Sequence, residues 1–299
     1  MIYLLDYVSF MTLDQLQVLQ SILETGSFRA ASQKLNRAQS AVSYAVRSLE
    51  EEIGFALFDR SAYRPKLTAE GDGFLKKASE LLVDYQGLQR TVEYLKRGYE
   101  PVIRLAISAH WPLASLVAGL KKMAEQYPQT EIRIFSEVLS GEDMLLTEQV
   151  DLAISQIFLQ RSGLQTRKVL DVTQIPVCAP GHPLAKLKGK ASAVDRGLYS
   201  QVVLRSTLEG AGKSAAILNP LNTVSVDNFL SKKELIRGGL GWGFMPDHLV
   251  QSEIKKKELV ITHHEATKIP LSVAIRQGQK LGPCAELLWN YFCSTHRDK

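Results

Sequence analysis

Between Phe28 and Ile53 the chain carries two helical patterns joined by a tight turn, and the second has two chemically different faces. Val42, Ala45, Val46, Leu49 and Ile53 fall at i, i+3, i+4, i+7 and i+11, one stripe of a 3.6-residue period that must pack inward. Ser40, Ser43, Tyr44 and Arg47 repeat the spacing on the other side, with Gln39 ahead of them. Small hydroxyls, a phenol and a guanidinium thus point outward from one rod. Such groups read base edges or hold phosphates. Taken alone, the pattern fits equally an ordinary amphipathic helix with a solvated outer face.

The flanking residues narrow that choice. Thr12 with Gln15 spells a capping box that opens an earlier helix, Gly26 is placed to end it, and Ser27 can cap the next. Three helices with short joints result, the order of a helix-turn-helix whose last helix enters the major groove. After it, Arg60, Arg64 and Lys66 surround a Pro65 turn before Leu67 and Thr68, a basic hairpin suited to act as a wing on the sugar-phosphate backbone. Net charge is no evidence for this, because residues 1–97 hold 12 Lys/Arg and 12 Asp/Glu and the excess of +5 lies further along. Placement is: three of the four acids between Gly26 and Thr68 are Glu50, Glu51 and Glu52, at the far end of the rod, so its start and the wing are locally positive.

This segment resembles the N-terminal domain of the LysR-type transcriptional regulators. The matching residues are Gly26-Ser27-Phe28, Ala30-Ala31, Leu35, Gln39 through Ser43, Leu49-Glu50, Gly54, Leu57-Phe58 with Arg60, and Leu67-Thr68 with Gly71. One departure is Ala38, where the family often has Ser or Thr; a missing cap costs about 1 kcal/mol and allows the helix to begin at a neighbouring residue. The resemblance implies a winged helix-turn-helix over 11–68, with Ser27, Gln39, Ser40, Ser43, Tyr44 and Arg47 at the DNA and Arg60, Arg64 and Lys66 on phosphate. The pattern starts at Met11, so residues 1–10 read as an N-terminal extension.

From 69 to 97 the residues Phe74, Ala78, Leu81, Tyr85, Leu88, Val92 and Leu95 recur at alternating spacings of four and three, a heptad seam flanked by charged residues. Self-association follows, with Gly87 as a weak point. In the resembled family this is the linker helix that pairs two subunits on a dyad-symmetric site of promoter DNA, and homodimers assemble further into a homotetramer.

Beyond Pro101 short β-rich runs alternate with helical ones. Residues 102–107, 131–135, 151–155, 175–178, 201–204, 223–226, 241–245 and 269–275 read as strands, with helices near 112–126, 142–149 and 281–292. Alternation of this kind makes the fold class α/β with parallel βαβ units. Further likeness to the family in Asp151 through Ile154, Gly181 through Ala185 and Gly239 through Pro246 implies a two-subdomain, periplasmic-binding-protein-like effector domain over 101–299. The first subdomain would take 101–160 and 267–299 and the second 161–266, with a small-molecule effector between them. Ligands of open α/β sheets sit at the carboxyl ends of strands. That singles out Ser108, His110 and Trp111 after the first strand, Ser140 after the second, and Arg205 and Thr207 after the strand ending at Leu204. Hydroxyls at helix starts with Arg205 suit an anion such as an organic acid. The alternative is that the serines are only caps and Arg205 is solvated.

Several classes are excluded or set aside. Residues 1–10 are apolar but far shorter than the roughly 20 that span a bilayer, and no signal-peptide cleavage site follows, so a cytoplasmic protein without membrane attachment is expected. Cys178, Cys284 and Cys293 are an odd number without metal-ligand spacing, which fits a reducing compartment; a cysteine-based redox sensor is one alternative. An α/β enzyme is the other, but no nucleotide fingerprint, metal motif or catalytic triad context surrounds His110, His182, His248, His263, His264 or His296, so no metal and no cofactor is expected. His182 and Trp242 read as structural.

Overall fold

The computed structural model describes residues 11–59, 65–157, 163–208, 222–264 and 266–295. The extension at 1–10 and the wing residues Arg60 and Arg64 lie outside the described residues. The chain forms two compact units, residues 1–94 and 95–299.

The first unit holds α1 (Leu13–Thr25), α2 (Phe28–Lys34), α3 (Gln39–Ile53) and most of α4 (Ala69–Lys96). The Thr12 hydroxyl accepts the Gln15 N–H while the Gln15 side chain accepts the Thr12 N–H, and Gly26 closes α1. Ser27 caps α2 by accepting the Ala30 N–H at 3.1 Å. The apolar stripe of α3 packs as its period demands: Val42, Val46 and Leu49 are buried with Leu16, Leu19 and Ile22 of α1 and with Leu57 and Phe58. Glu52 accepts from Gln15 of α1 at 3.2 Å, and Arg37 makes a two-pronged ion pair with Asp14 at 2.6 and 2.7 Å. That hydrogen bond from Arg37 holds the Asp14 carboxyl below its ordinary value.

Contrary to a shifted start, α3 begins at Gln39 with Ala38 in the cap position and no side-chain cap bond. Behind α3 the wing opens on a two-residue bridge, Phe58 against Leu67, with Asp59 donating to the Lys66 carbonyl at 2.7 Å. The Glu50 carboxylate accepts the N–H groups of Leu57 and Phe58 at 2.7 and 3.2 Å, tying recognition helix to wing. Gly71 lets α4 start against that strand, since a Cβ there would stand 2.3 Å from the Leu57 carbonyl oxygen.

The second unit is one mixed sheet with helices. Its elements are β1 (Val102–Ser108), α5 (Leu113–Gln126), β2 (Glu131–Glu137), α6 (Gly141–Leu146), β3 (Leu152–Ser155), β4 (Leu164–Cys178), α7 (Ala193–Gly197), β5 (Gln201–Leu204), β6 (Thr223–Val226), α8 (Phe229–Arg237), β7 (Trp242–Pro246), α9 (Gln251–Lys255), β8 (Val260–Ile261), β9 (Thr267–Arg276) and α10 (Pro283–Thr295). The strand order is β2-β1-β3-β9-β4-β7-β5-β6, with β8 also on β4. Parallel triplets stand at each end, β2-β1-β3 and β7-β5-β6, as βαβ connections require. Between them β4 and β9 pair antiparallel from Leu164↔Arg276 to Gln174↔Thr267, with a bulge between Lys168 and Leu170. This ribbon joins the two half-sheets: β3 binds the end of β9, and β7 binds the end of β4.

The sequence reading found only 175–178 of β4. Gln165 through Lys168 are exposed, so no alternation marks them as strand. The helix expected over 142–149 ends at Leu146. Cys284 and Cys293 share α10. Trp242 and His182 are structural: the indole of Trp242 is buried and donates to the Arg196 carbonyl at 2.9 Å, and the His182 ring accepts the Leu184 N–H at 3.2 Å.

The bare start of α3 gives a direct test. Ala38→Ser supplies the missing acceptor for its first turn and should raise the stability of the first unit by about 1 kcal/mol, read as a higher urea midpoint with unchanged slope.

Candidate functional site

Two surfaces gather the residues singled out by sequence. On α3, Gln39, Ser40, Tyr44 and Arg47 are exposed and Ser43 is half-buried, with Tyr44 72% exposed. Ser40, Ala41, Ser43, Tyr44 and Arg47 line an open concavity. A phenol standing this far into solvent gains nothing from its own fold, so its stacking and hydrogen-bonding capacity is available to another molecule. Ser27 is half-buried as the cap of α2, and Lys66 is exposed at the base of the wing. Arg37, by contrast, is spent on Asp14.

The heptad seam divides in two. Phe74 and Ala78 pack into the core of the first unit together with Leu82, so these two of the expected dimer contacts already serve the DNA-binding fold. Tyr85 is half-buried, while Leu81, Leu88, Val92 and Leu95 are exposed at 47, 61, 43 and 46%. These large apolar side chains leave a solvent-facing apolar strip along one helix face.

In the second unit, the loops after β1, β2 and β5 meet. The Ser140 and Thr207 hydroxyls are 2.7 Å apart, and Thr207 exchanges bonds with the Val138 backbone at 3.0 and 3.1 Å. The helix start at Ser140 is not open to an anion, however. The buried Glu137 carboxylate, unforeseen from sequence, accepts the N–H groups of Ser140 and Gly141 at 2.7 and 3.0 Å and the Ser155 hydroxyl at 2.8 Å. Ser108 turns back on its own loop, 3.3 Å from the His110 ring. Trp111 is buried edge-on to Phe292 at 6.0 Å. Arg205 is exposed and its backbone N–H pairs with Val226.

His110 is the member of this set with an unusual environment. Its buried ring stands edge-on to Phe229 of α8 at 4.9 Å. Desolvation, aided by the positive charges of Lys232 and His248, holds its pKa down to about 3. Lys232 was missed from sequence, although Phe229, Lys232 and Ile236 share the inward stripe of α8 and a lysine there is out of pattern. It is 5% exposed, and burial alone lowers its pKa to about 7.

Comparison with known proteins assigns both parts of the chain to one family. Residues 13–72 match the family described as "Bacterial regulatory helix-turn-helix protein, lysR family", and residues 96–295 match "LysR substrate binding domain". The chain belongs to the LysR family of DNA-binding transcriptional regulators. It is 30% identical over 261 residues to the probable HTH-type transcriptional regulator YhaJ of Escherichia coli K12, covering 86% of this chain and 87% of that one. It is also 28% identical over 286 residues to MetR of the same organism, covering 91 and 86%. Among solved structures, full-length CbnR covers 94% of this chain and 100% of its own at a TM-score of 0.53 and 18% identity. A full-length AphB variant covers 96 and 99% at 0.52 and 20%. Both structures share the fold.

The matched relatives are regulators and not enzymes. A redox mechanism is also disfavoured for this LysR regulator. All three cysteines are free of disulfides and buried, and desolvation pushes the Cys178 thiol up to about 12, away from the thiolate that oxidation requires. No described helix is long and apolar enough to cross a membrane.

The His110 environment sets a pH dependence. The unfolded ring takes its proton near 6.5 whereas the folded one resists it down to about 3, so acid favours the unfolded chain throughout that window. His110→Phe should therefore become progressively more stable relative to the parent as pH falls from 6.5, with the two curves running parallel above it, as measured by urea unfolding at a series of pH values.

Proposed function

We propose that this regulator binds duplex promoter DNA with α3 in the major groove, base and backbone contacts coming from Gln39, Ser40, Ser43, Tyr44 and Arg47. Ser27, Lys66 and the wing arginines Arg60 and Arg64 hold phosphate. The observation that carries this reading is the exposed polar face of α3 opposite an apolar stripe in which Val42, Val46 and Leu49 are buried and Ala45 and Ile53 half-buried. Subunits pair through the solvent-facing part of α4, from Leu81 to Leu95, which places two recognition helices on a dyad-symmetric site. Homodimers associate further into a homotetramer, and the protein works in the cytoplasm.

A small anionic effector enters between the half-sheets of the second unit, near His110, Thr207 and Arg205. Occupancy alters DNA binding only to the extent that the ligand prefers one arrangement of the subunits over another.

Replacing the guanidinium tests the DNA contact. Arg47→Ala should lose about 1 to 3 kcal/mol of operator affinity, roughly a 10- to 100-fold weakening in a gel shift at fixed salt, while the dimer persists. Affinity equal to the parent's removes Arg47 from the interface. For the seam, Leu88→Asp buries a charge in the pairing surface and should shift sedimentation from dimer to monomer at micromolar concentration, with the helix-turn-helix still folded. A variant that sediments like the parent rules out that seam.

A further inference from the structure

Lys232 lies where a lysine is costly. Its stem runs over Gly243 of β7, where a Cβ would come within 3.1 Å of its Cε, so the glycine makes room for the side chain. The ammonium stands 5.7 Å from the centre of the Phe229 ring. Among the described residues it has no carboxylate partner and no hydrogen-bond acceptor. A buried ammonium to which none of the described residues offers an acceptor carries a desolvation cost that a bound anion would offset.

Two further nitrogen-bearing side chains converge on the same place. His110 reaches the same Phe229 ring from the β1 loop, and the charges of Lys232 and His248 both act on it. His248 follows β7; its Nδ1 faces Asp247 at 3.7 Å, and its Nε2 is buried with no hydrogen-bond partner among the described residues. The surroundings are apolar, with Val138, Leu139 and Phe229 in the same buried cluster and Ala109 against it.

We propose that Lys232, His110 and His248 form the recognition site for the carboxylate of a small monoanionic effector, the ammonium supplying the charge and the imidazoles supplying neutral N–H donors. This deepens the effector reading given above and rests on it. One formal positive charge among apolar walls suits one carboxylate; a phosphate brings two further oxygens, and in part a second charge, that apolar walls leave without donors. The flat edge of Phe229 suits an unsaturated or aromatic body on that acid. Carried into the cleft, the carboxylate would turn the penalty at Lys232 into an attraction and bind α8 to the β1 loop.

Thermal unfolding of the full-length protein tests this at pH 6.5 and constant ionic strength, comparing sodium chloride with sodium benzoate, sodium acetate and sodium phosphate, and using benzamide as the uncharged control. Benzoate should raise the melting temperature by about 2 to 4 °C over chloride, acetate less, and benzamide not at all. Lys232→Met, which keeps the stem and removes the charge, should melt above the parent in chloride and lose the benzoate shift. The assignment is overturned by a parent that responds to neither carboxylate, by a response to phosphate alone, by equal benzoate shifts in parent and variant, by a benzamide shift matching that of benzoate, or by a variant less stable than the parent in chloride. These melts need no DNA. A benzoate shift without any change in a parallel gel shift would thus sink the regulatory role of the cleft while leaving the carboxylate site standing.

Discussion

Backbone hydrogen bonding between β4 and β9 makes a single effector unit out of two half-sheets. The ten-residue pairing from Leu164↔Arg276 to Gln174↔Thr267 is antiparallel, whereas each flanking triplet is parallel. Parallel triplets need helical crossovers and so build compact halves; only the long ribbon can span both. The loops that meet at His110, Ser140 and Thr207 are held by this geometry, with the Ser140 to Thr207 contact as a latch across the two halves. A ligand wedged there must work against a ladder of main-chain bonds, which favours small hinge-like adjustments over separation of the halves.

The sequence disclosed most where burial is one-sided. The stripe Val42, Val46 and Leu49 and the caps at Thr12 and Ser27 are direct consequences of helical period and end chemistry, and the folded chain uses them as read. It disclosed least where a residue's environment comes from distant chain. The first half of β4 carries exposed Gln165, Thr166, Arg167 and Lys168, and its strand character comes from β9, about a hundred residues away. Likewise the α6 helix start looked open to an anion until Glu137, four residues before Gly141, folded back to fill it. Heptad spacing could not say that Phe74 and Ala78 serve the first unit's own core, because the same repeat continues unchanged from that buried stretch into the exposed Leu88, Val92 and Leu95.

Polar groups in the second unit fall into two kinds. Glu137 is surrounded by donors and Arg104 is held by Asp151 at 2.7 Å, so both are structural and self-sufficient. The His248 Nε2 has no partner among the described residues and Lys232 sits buried on the apolar stripe of α8, placements that selection for stability alone would remove. Lys232 was legible in principle as a charge on the apolar stripe of α8.

Because α4 is anchored by Phe74, Ala78 and Leu82 and carries its exposed seam onward through Leu88 to Leu95, the azimuth of the seam is geared to the recognition helix through one continuous rod. Inserting a single residue after Leu82 would swing the seam by about 100° relative to α3. The phase between the recognition helix and the exposed apolar strip is therefore written into the residue count of that rod.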